Sequence, residues 1–134
     1  MRADATATLA LTALVAAAVG LGLWAVGGPA QGRMEKRDQQ RHADLMQLER
    51  QVACLSDAAG GALPGALTET DVCHIAERYA DPWTGAAYVY DRLSDSGYRL
   101  CAGFEAPGAL QAWTGPEIKF DRDAGCLVIR HTPG

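Results

Sequence analysis

Residues 5–30 of this chain read ATATLALTALVAAAVGLGLWAVGGPA, and this stretch decides how the protein is built. It lies within an uncharged region between Asp4 and Arg33, which contains 28 positions (33 − 4 − 1). About 20 apolar residues, at about 1.5 Å of helix rise each, are enough to cross a bilayer core of about 30 Å. The stretch therefore predicts a transmembrane helix over residues 5–30, preceded by a short N-terminal tail at residues 1–4.

The far end of this helix carries its own signals. Trp24 suits an anchor at the membrane interface, and Gly27-Gly28-Pro29 is expected to end the helix. A cleaved secretory signal is one alternative, with Gly28-Pro29-Ala30 imitating a cleavage site, but its apolar core should span only about 7–15 residues. A buried helix of a soluble domain is another alternative, and it would expose apolar surface on every side. The length favours a retained anchor.

The rest of the chain has a different composition. Residues 33–134 contain 11 Lys and Arg (12 − 1) and 15 Asp and Glu (16 − 1), so the net charge of −4 lies entirely there. An acidic region of this kind excludes a basic nucleic-acid-binding domain, and we expect no nucleic-acid partner. All four cysteines also lie in this region, and an even number in a small domain is typical of an oxidising compartment.

The orientation in the membrane rests on two opposed signals. Arg2 precedes the apolar stretch, whereas Arg33, Lys36, Arg37 and Arg41 follow it, and the positive-inside rule alone would place the C-terminal region in the cytoplasm. The cysteines favour the opposite side, because disulfides persist outside the cytoplasm. We give the cysteines more weight and predict a single-pass protein of the inner (cytoplasmic) membrane with an extracytoplasmic C-terminal domain.

Residues 31–56 are predicted to form a membrane-proximal stalk helix. Leu45, Leu48, Val52 and Leu55 recur at spacings of three and four, which places them on one helical stripe. The charge-rich residues 33–42 have almost no apolar face, so we expect them to be solvated. The helix should therefore gain a packing partner only from Leu45 onwards.

Residues 57–134 are predicted to form a small α+β head. Thr68 and the residues after it offer helix-capping signals, and an apolar stripe predicts a short helix over residues 68–79. After Gly85 the apolar pattern alternates, which predicts two hairpins. The first pairs residues 88–90 with 98–104, and the second pairs residues 117–121 with 126–130. The expected fold class is α+β, with an N-terminal transmembrane helix that continues into a long helix packed on a small antiparallel sheet.

Two local motifs carry a family resemblance. Asp81-Pro82-x-x-Gly85-x-x-Tyr88-x-Tyr90 and Tyr98-x-Leu100-Cys101-Ala102-x-Phe104 are similar to the turn and first strands of pseudopilins. Together with the order of elements, they make the chain resemble the type IV pilin and type II secretion pseudopilin superfamily. The resemblance implies a pilin-like fold. The apolar stretch lacks the Glu and the leader-processing site of that class, so a place in a pilus is not implied.

The cysteines are interpreted as disulfides. Sequential pairing joins Cys54 to Cys73 and Cys101 to Cys126, although four cysteines allow three connectivities. The gaps between them contain no C-x2-C spacing, so we expect no metal site. His42 and His131 belong to no motif and are expected at the surface.

The aromatic residues near the sheet suggest one candidate partner surface. It comprises Trp83, Tyr88, Tyr90 and Tyr98, and Tyr88 and Tyr90 should share one strand face. No motif for a nucleophile, a phosphate loop or a cofactor is present, so we expect no catalysis and no cofactor.

These observations predict a membrane-anchored, extracytoplasmic, pilin-like structural or protein-interaction module. Its expected partners are the membrane and other membrane or envelope proteins. The main alternative is a secreted or anchored binding domain that recognises a small ligand, a glycan or a metal through an aromatic sheet face. A thiol-based enzyme is the least favoured hypothesis.

Overall fold

The computed structural model describes residues 1–132, which contain two helices and four strands joined by irregular segments. Helix α1 spans Arg2–Ala25 and helix α2 spans Gly28–Ala58. The strands are β1 (Val89–Arg92), β2 (Gly97–Cys101), β3 (Ile118–Asp121) and β4 (Cys126–Arg130). The chain divides into two compact units, Met1–Met34 and Glu35–Gly134, which are described separately below. From here on, the head means the second unit, which is larger than the head of residues 57–134 predicted from the sequence.

Helix α1 is apolar along its whole length and has no buried residue. Its threonines bond back to its own backbone; the Thr8 hydroxyl, for example, donates to the Asp4 carbonyl at 2.7 Å. This back-bonding satisfies hydroxyl groups that have no other partner on an apolar helix. By length and composition the helical region near the N-terminus includes a segment that can cross a membrane. The helix stops where Gly27 takes a φ of +89°, a conformation that glycine adopts without strain.

Helix α2 begins with Pro29 in its first turn, where a missing N–H costs nothing. It ends at a pair of glycines with positive φ, Gly60 and Gly61. The N–H of Gly61 donates to the Ser56 carbonyl at 2.8 Å and satisfies one of the free carbonyls at the helix end.

The four strands form one antiparallel sheet in the order β1-β2-β4-β3. Both hairpins expected from the alternating pattern are present, and they join through pairing of β2 with β4. In that central ladder Leu100 pairs with Leu127 and Tyr98 with Ile129, which places four core side chains on one face. Leu45, Leu48 and Val52 of α2 are fully buried in the same core cluster. The α+β class is therefore confirmed.

The short helix predicted over residues 68–79 is absent, and the whole stretch from residue 62 to residue 79 is irregular. Its backbone groups bond instead to glutamine side chains of α2, as described below. Long-range hydrogen bonds thus replace the local helical ones that the capping signals favoured.

The expectation of a solvated stalk is also wrong within the head. Asp38, Arg41, His42 and Asp44 of α2 are all buried, and so are Gln51 and Ser56 further along the helix. Loops from the second half of the chain cover this polar side of the helix. The charges are solvated by these loops rather than by water.

Candidate functional site

A buried arginine organises the beginning of the head. Arg41 is 1% exposed; its Nε donates to Asp81 Oδ2 at 2.6 Å, and its Nη1 donates to Asp38 Oδ1 at 2.8 Å and to Glu105 Oε2 at 2.7 Å. Arg37, one turn earlier, binds the same Glu105 carboxylate through two hydrogen bonds of 2.7 Å. Two guanidinium groups therefore meet three carboxylates, in a geometry that gives charge-assisted hydrogen bonds.

The ionisation of this cluster is fixed. Burial by itself would lower the pKa of Arg41, but its hydrogen bonds to the carboxylates outweigh burial and raise the pKa. The hydrogen bonds from Arg37 and Arg41 lower the pKa of Glu105 to about 2. Burial tends to raise the pKa of Asp81, and the bond from Arg41 together with backbone N–H donors lowers it overall. These three shifts all favour the charged forms of Arg41, Glu105 and Asp81, which suits a structural ion-pair cluster.

The carboxylates of the cluster also fix loop backbones. Asp38 accepts hydrogen bonds from the N–H groups of Glu105 and Ala106, at 2.9 and 2.7 Å. Asp81 Oδ1 accepts from the N–H of Trp83 at 2.8 Å, which forms a local Asx turn. The ring of Trp83 lies 5.4 Å from the Arg41 guanidinium carbon, within cation–π range.

A third loop docks on the next residue of the helix. His42 Nε2 accepts a hydrogen bond from the N–H of Trp113 at 3.2 Å, which requires the imidazole to be neutral at that nitrogen. Burial lowers the pKa of His42 and so favours the neutral form. The expectation that His42 lies at the surface is therefore wrong. We call the three loop segments held against Asp38, Arg41 and His42, namely residues 81–84, 105–106 and 113, the collar.

Asp44 anchors a second buried group of polar contacts. It accepts hydrogen bonds from Gln40 Nε2 at 2.9 Å, Arg78 Nη1 at 3.1 Å and the Tyr88 hydroxyl at 2.7 Å. Burial, and then the bond to Asp44, raise the pKa of Tyr88. Tyr88 is thus held in the core as a donor.

Glutamines of α2 hold the irregular segment between the helix and the sheet. Gln51 is fully buried and donates to the carbonyls of Thr68 and Cys73, at 2.9 Å each, while its Oε1 accepts from the N–H of Ile75 at 2.8 Å. Gln47 accepts from a backbone N–H two residues further along, at Glu77. The side chains of Gln51 and Gln47 therefore make the hydrogen bonds to this segment that a neighbouring strand would make in a sheet.

Both expected disulfides are present. Cys54 and Cys73 join α2 to the irregular segment, with Cα atoms 5.9 Å apart. Cys101 and Cys126 join paired positions at the ends of β2 and β4. No cysteine is free, so the chain in this state offers no thiol nucleophile.

The candidate aromatic surface is only partly exposed. Tyr88 and Tyr98 are 7% and 1% exposed and belong to the core. The half-buried Tyr90 packs on Tyr98 and donates its hydroxyl to the Pro64 carbonyl at 2.7 Å. Trp83, at 49% exposed, is the one member of the four that presents a large surface. A groove of about 320 Å³ lies beside Tyr88 and Tyr90, and its other lining residues are Gly65, Ala66, Leu67, Tyr79 and Ala87.

One pair outside the collar has the residue types of a nucleophile and its base. The Ser56 hydroxyl lies 2.8 Å from His131 Nε2. Ser56 is fully buried, however, so no substrate can reach its oxygen. The pair holds the end of β4 against the end of α2. Within residues 1–132, no group of three or more His, Cys, Asp or Glu side chains is arranged to hold a metal ion.

The sequence does not indicate the collar, because the collar residues are distant along the chain from the α2 residues that they bind. Arg41 is 40 residues from Asp81 and 64 from Glu105. The available signal was local: Asp38 and Arg41 lie three apart and Asp44 follows, on the helical side next to Leu45 and Leu48. Comparison of the chain as a whole gives no relative, since no family model, no curated protein and no solved structure matches it.

Proposed function

We propose that this protein is a single-pass membrane-anchored module whose disulfide-bonded head lies outside the cytoplasm and acts by contact with other envelope components. The observation that carries the proposal is the state of α1. Its 24 residues include none that is buried, although leucine, valine and alanine dominate the helix. Leu9, Leu14 and Leu21 are each about two-thirds exposed, at 70%, 69% and 66%. An apolar surface of this extent is stable in a bilayer and unstable in water.

The two disulfides support the extracytoplasmic side. They use all four cysteines and close segments of 19 and 25 residues, which suits a small domain in an oxidising space. The basic residues that argued for the cytoplasm also have another explanation. Arg37 and Arg41 are needed inside the head to bind Asp38, Asp81 and Glu105. Their presence after the membrane segment therefore says less about orientation than the count of positive charges implied.

A structural role is favoured by the way the polar groups are used. The buried charges of the head bond to each other and to loop backbones. Ser56 and His42, two residues whose types could serve in catalysis, are buried and bonded to His131 and to the backbone of Trp113. A long helix packed on a small antiparallel sheet also supports a pilin-like relationship. Ligand recognition through an aromatic sheet face is less favoured, since Tyr88 and Tyr98 lie in the core.

Membrane fractionation with topology mapping tests this proposal. The full chain with a C-terminal epitope tag is expressed, and membranes are extracted with alkaline carbonate. We expect the protein in the carbonate-resistant pellet, and we expect added protease to remove the tag in spheroplasts while a cytoplasmic marker stays intact. Recovery in the soluble fraction would overturn the anchor. A tag protected until the membrane is lysed would overturn the orientation alone.

A further inference from the structure

Two tryptophans of the head are exposed although the indole ring is largely apolar. Trp83 is 49% exposed and Trp113 is 58% exposed. Both belong to the collar, one through the Asp81 turn and the other through its hydrogen bond to His42. We propose that Trp83 and Trp113 form a membrane-contact patch that rests in the lipid interface of the bilayer in which α1 is anchored. This inference rests on the anchor proposed above and adds a second point of attachment to it.

The position of the patch within the head favours this partner. The head begins at Glu35, and the collar holds α2 at residues 38–42, within two turns of that point. Only residues 26–34, nine residues, separate the end of α1 from the head. Even fully extended, nine residues span about 30 Å. Chain length alone therefore keeps the first residues of the head within reach of the bilayer that holds α1.

Such a short connection makes a weak contact sufficient. Tethering turns the second binding event into an intramolecular one, with an effective concentration in the millimolar range. A partner in solution would need a much larger interface to reach the same occupancy. A contact made by only two aromatic side chains is therefore occupied more readily at the lipid surface than with a partner in solution.

Tryptophan is the residue type that a bilayer interface prefers. Its indole combines an apolar ring with an N–H group that stays hydrated, and it is enriched at the headgroup level of membrane proteins. Both residues are also held in place before any contact. The ring of Trp83 lies against the buried Arg41, and the backbone of Trp113 is bonded to His42. The ring of Trp83 and the backbone of Trp113 therefore lose little conformational entropy when the rings enter the interface.

The proposed contact relies on the indole rings and not on the ion pairs beside them. The carboxylates Asp38, Asp81 and Glu105 are all bonded to Arg37 or Arg41, so these five groups together carry no surplus of positive charge. The attraction comes from the indole rings. The contact should therefore occur on zwitterionic vesicles and change little with salt.

The chain contains three tryptophans, Trp24, Trp83 and Trp113, which allows each to be observed alone. Three double variants retain one indole each: W83F/W113F, W24F/W113F and W24F/W83F. Each full-length variant is reconstituted into phosphatidylcholine vesicles made with or without lipids brominated near the headgroup end of their acyl chains. Bromine quenches only an indole that lies in or next to the bilayer.

A matched control places an indole at the other end of the head. Leu93 is 53% exposed, and its turn is tied to the C-terminal end of α2, since Ser96 accepts from the N–H of His131 and His131 bonds to Ser56. Ser56 lies 15 residues beyond Arg41, which is about 22 Å along the helix. The control is L93W in the W24F/W83F/W113F background.

We expect brominated lipid to quench Trp24 by about two-fold or more, and Trp83 and Trp113 clearly though less strongly. The L93W control should stay unquenched and fully accessible to acrylamide. If Trp24 is quenched but Trp83 and Trp113 behave like the control, the patch is overturned and the anchor stands. If Trp24 is not quenched, the anchor itself fails. Concentration-dependent shielding of Trp83 and Trp113 without lipid quenching would identify a second copy as the occupant and would also overturn the proposal.

Discussion

Helix α1 and the part of α2 that lies in the head reverse the usual distribution of side chains. In α1 the leucines and valines are exposed and no residue is buried. In the head portion of α2, Asp38, Arg41 and Asp44 are buried as completely as Leu45 and Leu48. In a soluble protein the charged residues would face water and the leucines would face the core.

The two reversals have different causes. The environment that suits α1 is not part of the chain, so its apolar surface has no intramolecular partner. The buried charges of α2, Asp38, Arg41 and Asp44, have partners within the chain, and most of these partners lie on segments that follow much later in the sequence. Exposure of apolar residues thus indicates an external contact, whereas burial of charge indicates an internal one. The predictions below test each half of this comparison.

The largest effect should come from charges at the centre of α1. Leu14→Arg combined with Val15→Arg puts two cations where the bilayer is deepest, each at a cost of about 2.5–3.5 kcal/mol on insertion scales. We expect the double variant to leave the carbonate-resistant membrane fraction, with the cysteines of the head left reduced because the head no longer reaches the oxidising side of the membrane. Ala3→Arg with Ala5→Arg is the matched control, since cations near the helix end reach the interface. Equal membrane retention of both variants would show that α1 does not span the bilayer.

The next effect concerns the buried arginine of α2. Arg41→Met leaves Asp38, Asp81 and Glu105 close together without their shared cation, and removing one partner of a buried ion pair costs about 3–5 kcal/mol. Urea unfolding in detergent, followed by near-ultraviolet circular dichroism, measures the loss in free energy of unfolding. Arg50→Met is the control, since Arg50 is exposed on the same helix and its replacement should cost less than about 0.5 kcal/mol. Similar losses for the two variants would mean that the collar does not depend on Arg41.

A third test asks whether the side chains of α2 can hold the irregular segment without a covalent bond. Loss of the Cys54–Cys73 disulfide in C54A/C73A should cost about 3 kcal/mol in the chain-entropy model and allow protease to cut within residues 62–79. C101A/C126A is the control, because β2 and β4 remain joined by their ladder. It should lower the free energy of unfolding without a new cleavage site. If C54A/C73A also resists cleavage in that segment, Gln51 and Gln47 suffice by themselves.

Local patterns predicted those parts of the fold that local forces determine. The alternation around Leu100 and Leu127 predicted the hairpins, and Gly27-Gly28-Pro29 marked the end of α1 correctly. The sequential disulfides also agreed with the structure. In each case the signal lies within a few residues of the feature or follows from simple pairing.

The errors arose where distant residues decide the outcome. The capping signals near Thr68 favoured a helix, but Gln51 binds the backbone of that segment and holds it irregular. Arg41 looked solvated because its partners Asp81 and Glu105 belong to other loops. A single sequence does not reveal which of its charges will meet after folding. The collar could therefore not have been identified before the structure.

The smallest effect should come from His42, the neutral histidine of α2 that binds the collar. Burial lowers the pKa of His42 from its ordinary value of 6.5. Just below that pH, His42 therefore binds a proton in the unfolded chain but stays neutral in the folded chain. The contribution of His42 to stability is complete above about pH 6.5 and is lost as the pH falls towards the pKa of the folded state. We therefore expect the free energy of unfolding to decrease on acidification. Protonation of His42 would also break the hydrogen bond that its Nε2 accepts from Trp113.

His42→Gln isolates this contribution. The amide oxygen of Gln can accept the N–H of Trp113 but does not titrate, and every other residue is the same in the two proteins. Urea unfolding from about pH 8 to about pH 5 should therefore show a steeper loss of stability for the wild-type protein than for His42→Gln. Parallel curves would mean that His42 is solvated in the folded state. A separation that widens as the pH falls would show that the His42 imidazole stays neutral in the folded head, as its burial beside Arg41 and its hydrogen bond from Trp113 require.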